Sequence, residues 1–303
     1  MKTTWIERGL MRDLEAEGTD AYRLWTIAGG WVERFGPDVL ISFKNQAARE
    51  RLTTEYFMWA EAMDFNAQRM FERFLPKRNE ERTAPKLILG DSNISSRSVV
   101  MERGLRFEID FSIGYSVGLF IDQRENRSFV RKSAPKRMLN CFAYTCSFSV
   151  AAAIVGANTL SVDLSKKSLE RGRANFVVNN LPARGHHFIA DDVFEVLPRL
   201  SRKGEKFDLI VLDPPTFSRS HRGRTFQVES DFGGLLMAAL EVADRDCRIL
   251  LSTNCAALNE RAIEVMARFC LKASRRAGSF HSEPRPVEFP PNSGASTVWL
   301  TLR

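Results

Sequence analysis

The chain has 303 residues, 44% of them hydrophobic, and its 44 Lys and Arg against 37 Asp and Glu give a net charge of +7. That composition excludes global disorder, and no apolar run approaches the roughly 20 residues of a membrane span. The five cysteines Cys141, Cys146, Cys247, Cys255 and Cys270 form no CxxC pair or Cys/His cluster, so free thiols and no bound metal are expected.

From Met1 to Asp13 the chain carries Lys2, Glu7, Arg8, Arg12 and Asp13 with no apolar run behind them. A cytoplasmic protein is the expectation. Strand patterns follow at 22–27 and 39–43. An amphipathic helical stretch runs over 47–75, interrupted near Asp64. A charged turn at 76–82, a strand at 86–89 and a polar loop at 90–97 complete this region. The texture changes near residue 105, which divides the chain into an accessory α+β domain, 1–104, and a second domain, 105–303. From there strands and helices alternate. Phe107, Ile109, Phe111 and Ile113 fall on one face of a strand. Strands then occupy 137–142, 159–162, 188–189, 207–212, 248–252 and 297–302, with helices at 148–155, 165–179, 231–243 and 259–277 between them. This alternation predicts an α/β fold with a doubly wound, mostly parallel sheet. Such sheets bind ligands at the carboxyl ends of their strands.

The chemistry-bearing residues fall at those ends. Residues 139–149 form a turn of small residues between a strand and a helix, where a ligand can approach backbone N–H groups. It lacks GxGxxG, which disfavours a dehydrogenase. Asp163 ends the next strand and can accept bonds from both ribose hydroxyls of a nucleoside. Asp192, after the third strand, can accept from an adenine amino group; for both acids, helix capping is the structural alternative. Asp213, Pro214 and Pro215 close the fourth strand in a stiff turn whose carbonyls have no sheet partner. Asp213 can accept from a planar base and Phe217 can stack on it. Cys255 follows the fifth strand, either as a nucleophile for carbon 6 of a pyrimidine or as a small buried residue. Two basic stretches, 124–137 and 219–224 (with Arg219, His221, Arg222 and Arg224), are read as loops beside this rim where an RNA would pass.

Together, the segments 118–127, 139–149, 161–165, 192–194 and 212–218 resemble the bacterial large-subunit ribosomal RNA methyltransferases, a group with cytosine carbon-5 and guanine N7 members. The resemblance covers about Arg106 to the end. It implies a Rossmann-like class I methyltransferase sheet, S-adenosylmethionine as cofactor with S-adenosylhomocysteine as product, and ribosomal RNA as partner. By resemblance, Phe120, Asp122, Gln123 and Arg124 line the cofactor and substrate cleft. Asn140, Phe142, Tyr144 and Thr145 hold the methionine end; Asp163 and Leu164 meet the ribose, Asp192 and Val193 the adenine. Asp213, Pro214, Phe217 and Cys255 face the target base. One departure stands out: Cys146 occupies the position of a family glycine, where its Cβ is expected to crowd the cofactor. Cys255 matches the cytosine-type members, whereas 213–220 and 290–300 look closer to the guanine type. A catalytically silent RNA-binding protein and a small-molecule methyltransferase are the rival readings.

Overall fold

The computed structural model describes residues 4–76, 81–219, 223–291 and 293–303. The chain forms two compact units, one of Met1–Ile121 with Pro286–Ser293 and one of Asp122–Arg285 with Gly294–Arg303. The texture change at 104/105 and this passage at 121/122 bracket the end of the β6–β7 hairpin described below.

In the first unit, α1 (Arg8–Ala16) precedes three strands, β1 (Ala21–Ile27), β2 (Gly30–Phe35) and β3 (Asp38–Phe43). Tight turns pair these antiparallel. Helix α2 (Gln46–Met63) then crosses over to β4 (Arg69–Phe74), parallel to β3, and β5 (Lys86–Leu89) closes the sheet in the order β1-β2-β3-β4-β5. Asn45 caps α2 by accepting from the Ala48 N–H at 2.9 Å, and Asp64 ends it in the left-handed region (φ 52°). The helix read over 47–75 therefore stops at Met63, and 69–74 is a strand. Its side chains alternate: Met70 enters the core beneath α2, while Phe71 stacks on Phe111 from the other face at 4.0 Å. Under α2, the Trp5 ring is stacked on Trp25 and on Trp59, each at 4.7 Å. A hairpin of β6 (Arg97–Glu102) and β7 (Leu105–Asp110) follows. The strand read to Ile113 ends at Asp110, because that carboxylate accepts from the Ser112 N–H and hydroxyl and turns the chain. Phe107, Ile109 and Phe111 are buried, but Ile113 is 42% exposed. The charged turn at 76–82 falls largely outside the described residues.

The second unit begins with a 3₁₀ turn, Ile121–Gln123, entering α3 (Arg124–Ser133). Then follow β8 (Arg137–Cys141), α4 (Ser147–Ala153), β9 (Asn158–Asp163), α5 (Lys166–Val178), β10 (His186–Ala190), α6 (Val193–Arg202) and β11 (Phe207–Leu212). A small pair, β12 (Phe217–Arg219) and β13 (Thr225–Gln227), leads to α7 (Val228–Leu240), β14 (Ala243–Thr253), α8 (Glu260–Ala273), β15 (Gly278–His281) and β16 (Ser296–Leu302). The sheet order is β10-β9-β8-β11-β14-β16-β15. Its first five strands run parallel, β16 runs antiparallel to β14, and β15 runs antiparallel to β16. Strands that are apolar throughout suit burial under helices on both faces; Ile210, Leu212, Ile249 and Leu251 pack with Leu235, Leu236, Ile263 and Ala267. Ala243, read as the end of a helix, starts β14 instead, and α8 ends at Ala273 rather than Ala277.

The stretch 124–137 is no loop. Most of it is α3, and Arg124 and Arg127 are each 1% exposed. Spacing explains this: residues three apart share a helix face, and the Arg127 guanidinium lies over the Phe148 ring of α4. Among the described residues, no helix is long and apolar enough to cross a membrane, and no group of His, Cys, Asp or Glu could hold a metal.

Candidate functional site

The order β10-β9-β8-β11-β14 reverses direction at β8, the switch point where ligands of such sheets sit. At the end of β8 the chain folds sharply: Phe142, Tyr144 and Cys146 all have positive φ (58°, 47° and 60°). A side chain in this region costs about 1–2 kcal/mol. The turn is held by neighbours. The Ala143 N–H donates to the Val162 carbonyl at 3.0 Å, and the Asn175 amide of α5 donates to the Thr145 carbonyl at 2.9 Å. Asn140 is buried and donates to Ser149 at 2.9 Å, so it shapes the turn from beneath. Thr145 is buried as well, whereas Phe142 and Tyr144 are half-buried.

Asp163 ends β9 beside this turn. Its carboxylate accepts from the Tyr144 and Ser165 N–H groups, both at 2.8 Å. Burial raises its pKa, partly offset by those two bonds. Leu164 is half-buried next to it. Asp192 ends the β10 segment and caps α6, accepting from the Phe194 N–H at 3.0 Å. Val193 is buried as the first residue of that helix. Its neighbour Asp191 pairs with Arg199. Asp192 thus has the capping role weighed in the sequence, whereas the helix after Asp163 is capped by Ser165, and each carboxylate keeps lone pairs for a ligand.

Cys146 is buried and its side chain packs against α5. Its Sγ lies against Gly172 of α5, where a Cβ would come within 2.5 Å of the sulfur. The thiol is buried, and burial pushes its pKa up to about 12. The extra side chain enters the space above a helix glycine.

At the end of β11, Pro214 is buried, Asp213 half-buried and Phe217 48% exposed. Burial pushes the Asp213 carboxyl up to about 6, with a hydrogen bond from Ser252 opposing, the Asp122 charge adding, and Arg127 opposing. Asp122 accepts from the Ala295 N–H at 3.0 Å. Gly294 makes this approach possible, since a Cβ there would meet the Asp122 carboxylate at 2.9 Å. Gln123 is buried and donates to Ser252 of β14 at 3.0 Å. Arg124 is buried in α3. Phe120 is an exposed residue of the first unit.

Cys255 follows β14 at 6% exposure, packed in the apolar core, and its Sγ lies 3.3 Å from Glu229 Oε1 of α7. Glu229, Ser252 and Gly172 were not singled out from sequence. Ser252 is legible as a polar residue at a strand end; the other two act through tertiary neighbours alone. Of the second basic stretch, Arg219 is exposed and Arg224 lies over the Phe194 ring at 3.9 Å; His221 and Arg222 lie outside the described residues. A cavity of about 630 Å³ opens at the other edge of the sheet, lined by Arg137, Asn158, His187, Lys203 and Glu205. It sits at strand starts, away from the converging acceptors, and Arg137 is paired with Glu205 there.

A family model described as S-adenosylmethionine-dependent methyltransferase matches residues 43–298. The chain is 31% identical over 272 residues to the provisionally named ribosomal RNA large subunit methyltransferase YwbD of Bacillus subtilis, covering 84% of this chain and 66% of that one. It is 36% identical over 183 residues to ribosomal RNA large subunit methyltransferase I of Aeromonas salmonicida, covering 59% of this chain and 46% of the relative. The chain therefore spans about half to two thirds of these relatives' lengths. SMU.776, described provisionally as a methyltransferase and solved with S-adenosylhomocysteine, superposes with a TM-score of 0.83 at 25% identity, covering 97% of this chain and 78% of that one.

Proposed function

Because the chain belongs to the S-adenosylmethionine-dependent methyltransferases, we propose that it transfers a methyl group from that cofactor to a base of large-subunit ribosomal RNA. The observation that carries this reading is the row of acceptors after parallel strands of one sheet, Asp192, Asp163 and Asp213, on either side of the β8–α4 turn. The names of the curated relatives support the choice of RNA.

A fit to the cofactor is supported by Cys146, whose side chain is buried and turned toward Gly172. Asp163 with Leu164 would hold the ribose, and Asp192 with Val193 the adenine. Phe142, Tyr144 and Thr145 would hold the methionine end, with Asn140 bracing the turn. Asp122, Gln123 and Arg124 would border the cleft. Bound S-adenosylmethionine supplies an activated methyl on a sulfonium, so the protein's task is alignment and exclusion of water. Pro214 stiffens the loop, Asp213 accepts from the base edge, and Phe217 stacks on a base drawn out of its helix. For cytosine, Glu229 would take the Cys255 proton and the thiolate would add to carbon 6, making carbon 5 nucleophilic toward the methyl that bound cofactor would supply; solvent water would take the carbon-5 proton as the thiolate leaves. The 3.3 Å contact between Cys255 and Glu229 favours this course. The accessory region, 1–104, is assigned to RNA contact, and the reaction to the cytoplasm.

The test is transfer of a tritiated methyl group to purified ribosomal RNA. Label in large-subunit RNA is the expected result, and no label above background overturns the reading. Cys255→Ser separates the target atoms: a cytosine enzyme loses nearly all turnover, and an N7 enzyme keeps it.

A further inference from the structure

The cavity of about 630 Å³ at the strand starts is remote from the row of acids. Asn158 and Thr159, which line it, begin β9, and Asp163 ends the same strand. Five steps at about 3.3 Å put roughly 17 Å between the two ends. The cavity owes its opening to β10, beyond which no strand is paired among the described residues. Alternate residues of that strand face opposite ways. His186 and Phe188 pack on Phe176 of α5, with ring centroids 4.8 and 5.3 Å away. Ile189 packs on the other side, against the core that includes Leu200 of α6.

Charge in this groove is one-sided. Its ionisable side chains are Arg137, Arg173, Lys203, His186, His187 and Glu205. Glu205, the one carboxylate in the lining, is paired with Arg137. Asp208, adjoining Arg137, accepts from the Lys136 and Arg137 N–H groups at 2.8 Å. Arg173 and Lys203 are exposed and form no ion pair among the described residues. The Arg173 guanidinium lies over the Phe188 ring at 4.2 Å, and His187 is exposed. Cations without carboxylate partners, set beside flat groups, match a single-stranded nucleic acid: phosphates meet the cations, and bases stack on rings and guanidinium planes. An acidic peptide would use the cations and leave the flat surfaces idle.

We propose that this groove holds a single-stranded stretch of the RNA substrate away from the target base, with Arg173 and Lys203 on its phosphates and the Arg173–Phe188 pair and His187 as stacking surfaces. The identity of the RNA rests on the methyltransferase reading; its binding in the groove is measured without any methyl transfer.

Two of the chain's four histidines line the groove, so they report on it directly. In the full-length protein with ¹⁵N-labelled histidine, a single-stranded oligoribonucleotide is titrated in, and the imidazole resonances are assigned with His186→Gln and His187→Gln. Both are expected to shift and saturate, while His281, on β15 at the far edge of the sheet, stays in place. No shift at either histidine overturns the proposal, as do equal shifts with polyglutamate or with inorganic phosphate. Arg173→Glu with Lys203→Glu should weaken oligonucleotide binding by at least about tenfold near 0.1 M salt. It should also flatten the slope of log K against log salt by about 1.4, two phosphates at about 0.7 each. Arg268→Glu with Lys272→Glu, the same charge change on α8, should stay within about threefold of wild type; an equal loss in both double variants overturns the groove. In methyl transfer to ribosomal RNA, the groove variant should raise KM about tenfold with kcat and S-adenosylmethionine affinity unchanged, and an unchanged KM overturns the substrate role. Groove binding in a protein that methylates no RNA upholds the groove and overturns the functional reading. Methyl transfer without histidine shifts overturns the groove alone.

Discussion

The two units treat charge in opposite ways. In the first, ionic groups lie inside: Arg69 makes a double bond pair with Asp38 at 2.8 and 2.7 Å, almost fully buried, and Arg23 pairs with Glu33 at 2.8 Å. Ser98 of the β6–β7 hairpin joins the Arg69–Asp38 pair. In the second unit the core of the parallel sheet is apolar, and Asp163, Asp192 and Asp213 stand at strand ends. Charges at the starts of β3 and β4, and within β1 and β2, hold sheet and hairpin together. A charge at a carboxyl end keeps lone pairs for something else. The same residue type therefore predicts stability in one unit and chemistry in the other.

The largest effect expected is from Asp38→Ala. It leaves the Arg69 guanidinium buried without its partner, a loss of about 3–5 kcal/mol. Urea unfolding measures it, and the affinity of the remaining folded protein for S-adenosylmethionine should stay within about twofold. A large fall in cofactor affinity would break the contrast between the units.

Asp213→Asn should do the reverse, lowering methyl transfer by roughly 10²–10³-fold without destabilising the fold. Its pKa in the folded chain, about 6, lies above that of an unfolded aspartate. Folding therefore disfavours the ionised form, and the cost is present above pH 6 and fades as pH falls through 6 toward 4. Asn removes that cost, so Tm should rise at pH 8 and change little at pH 4. A half-buried carboxylate is screened, and the gain is on the order of 1 kcal/mol.

Asp163→Ala should weaken cofactor binding by about 1.5–3 kcal/mol, read by calorimetry. It removes a charged acceptor and also frees the Tyr144 and Ser165 N–H groups. Binding at wild-type affinity would remove Asp163 from the site.

Gly172→Ala is expected to cost about 1–3 kcal/mol through overpacking, because the new methyl meets Cys146 Sγ. Cys146→Gly should rescue it in the double variant, since it removes the sulfur and relieves the left-handed backbone at that position. Additive losses would show that the two residues do not share this space.

Much of the second unit was legible because its signals are local. Apolar strands such as 207–212 read directly from sequence, Ser165 acts as the helix cap read there, and Asp163, Asp192 and Asp213 fall at strand ends. What failed was whatever depended on a partner distant in the chain. Residues 69–74 continue a helical pattern until β3 offers them a parallel neighbour. Arg124 and Arg127 read as phosphate-contacting charges on a loop until α3 turns them inward.

The sequence by itself determined the order of strands and helices, because alternation and caps are written in neighbouring residues. It also determined which acids would stand at the strand ends. Tertiary structure alone decided how those acids are tuned. Cys146 packs against Gly172, and Asp213 is tuned by burial and by Ser252, Asp122 and Arg127, which local patterning cannot bring together. Hydrogen bonds and charge interactions act through space, and the sheet order, rather than distance along the chain, sets who the neighbours are.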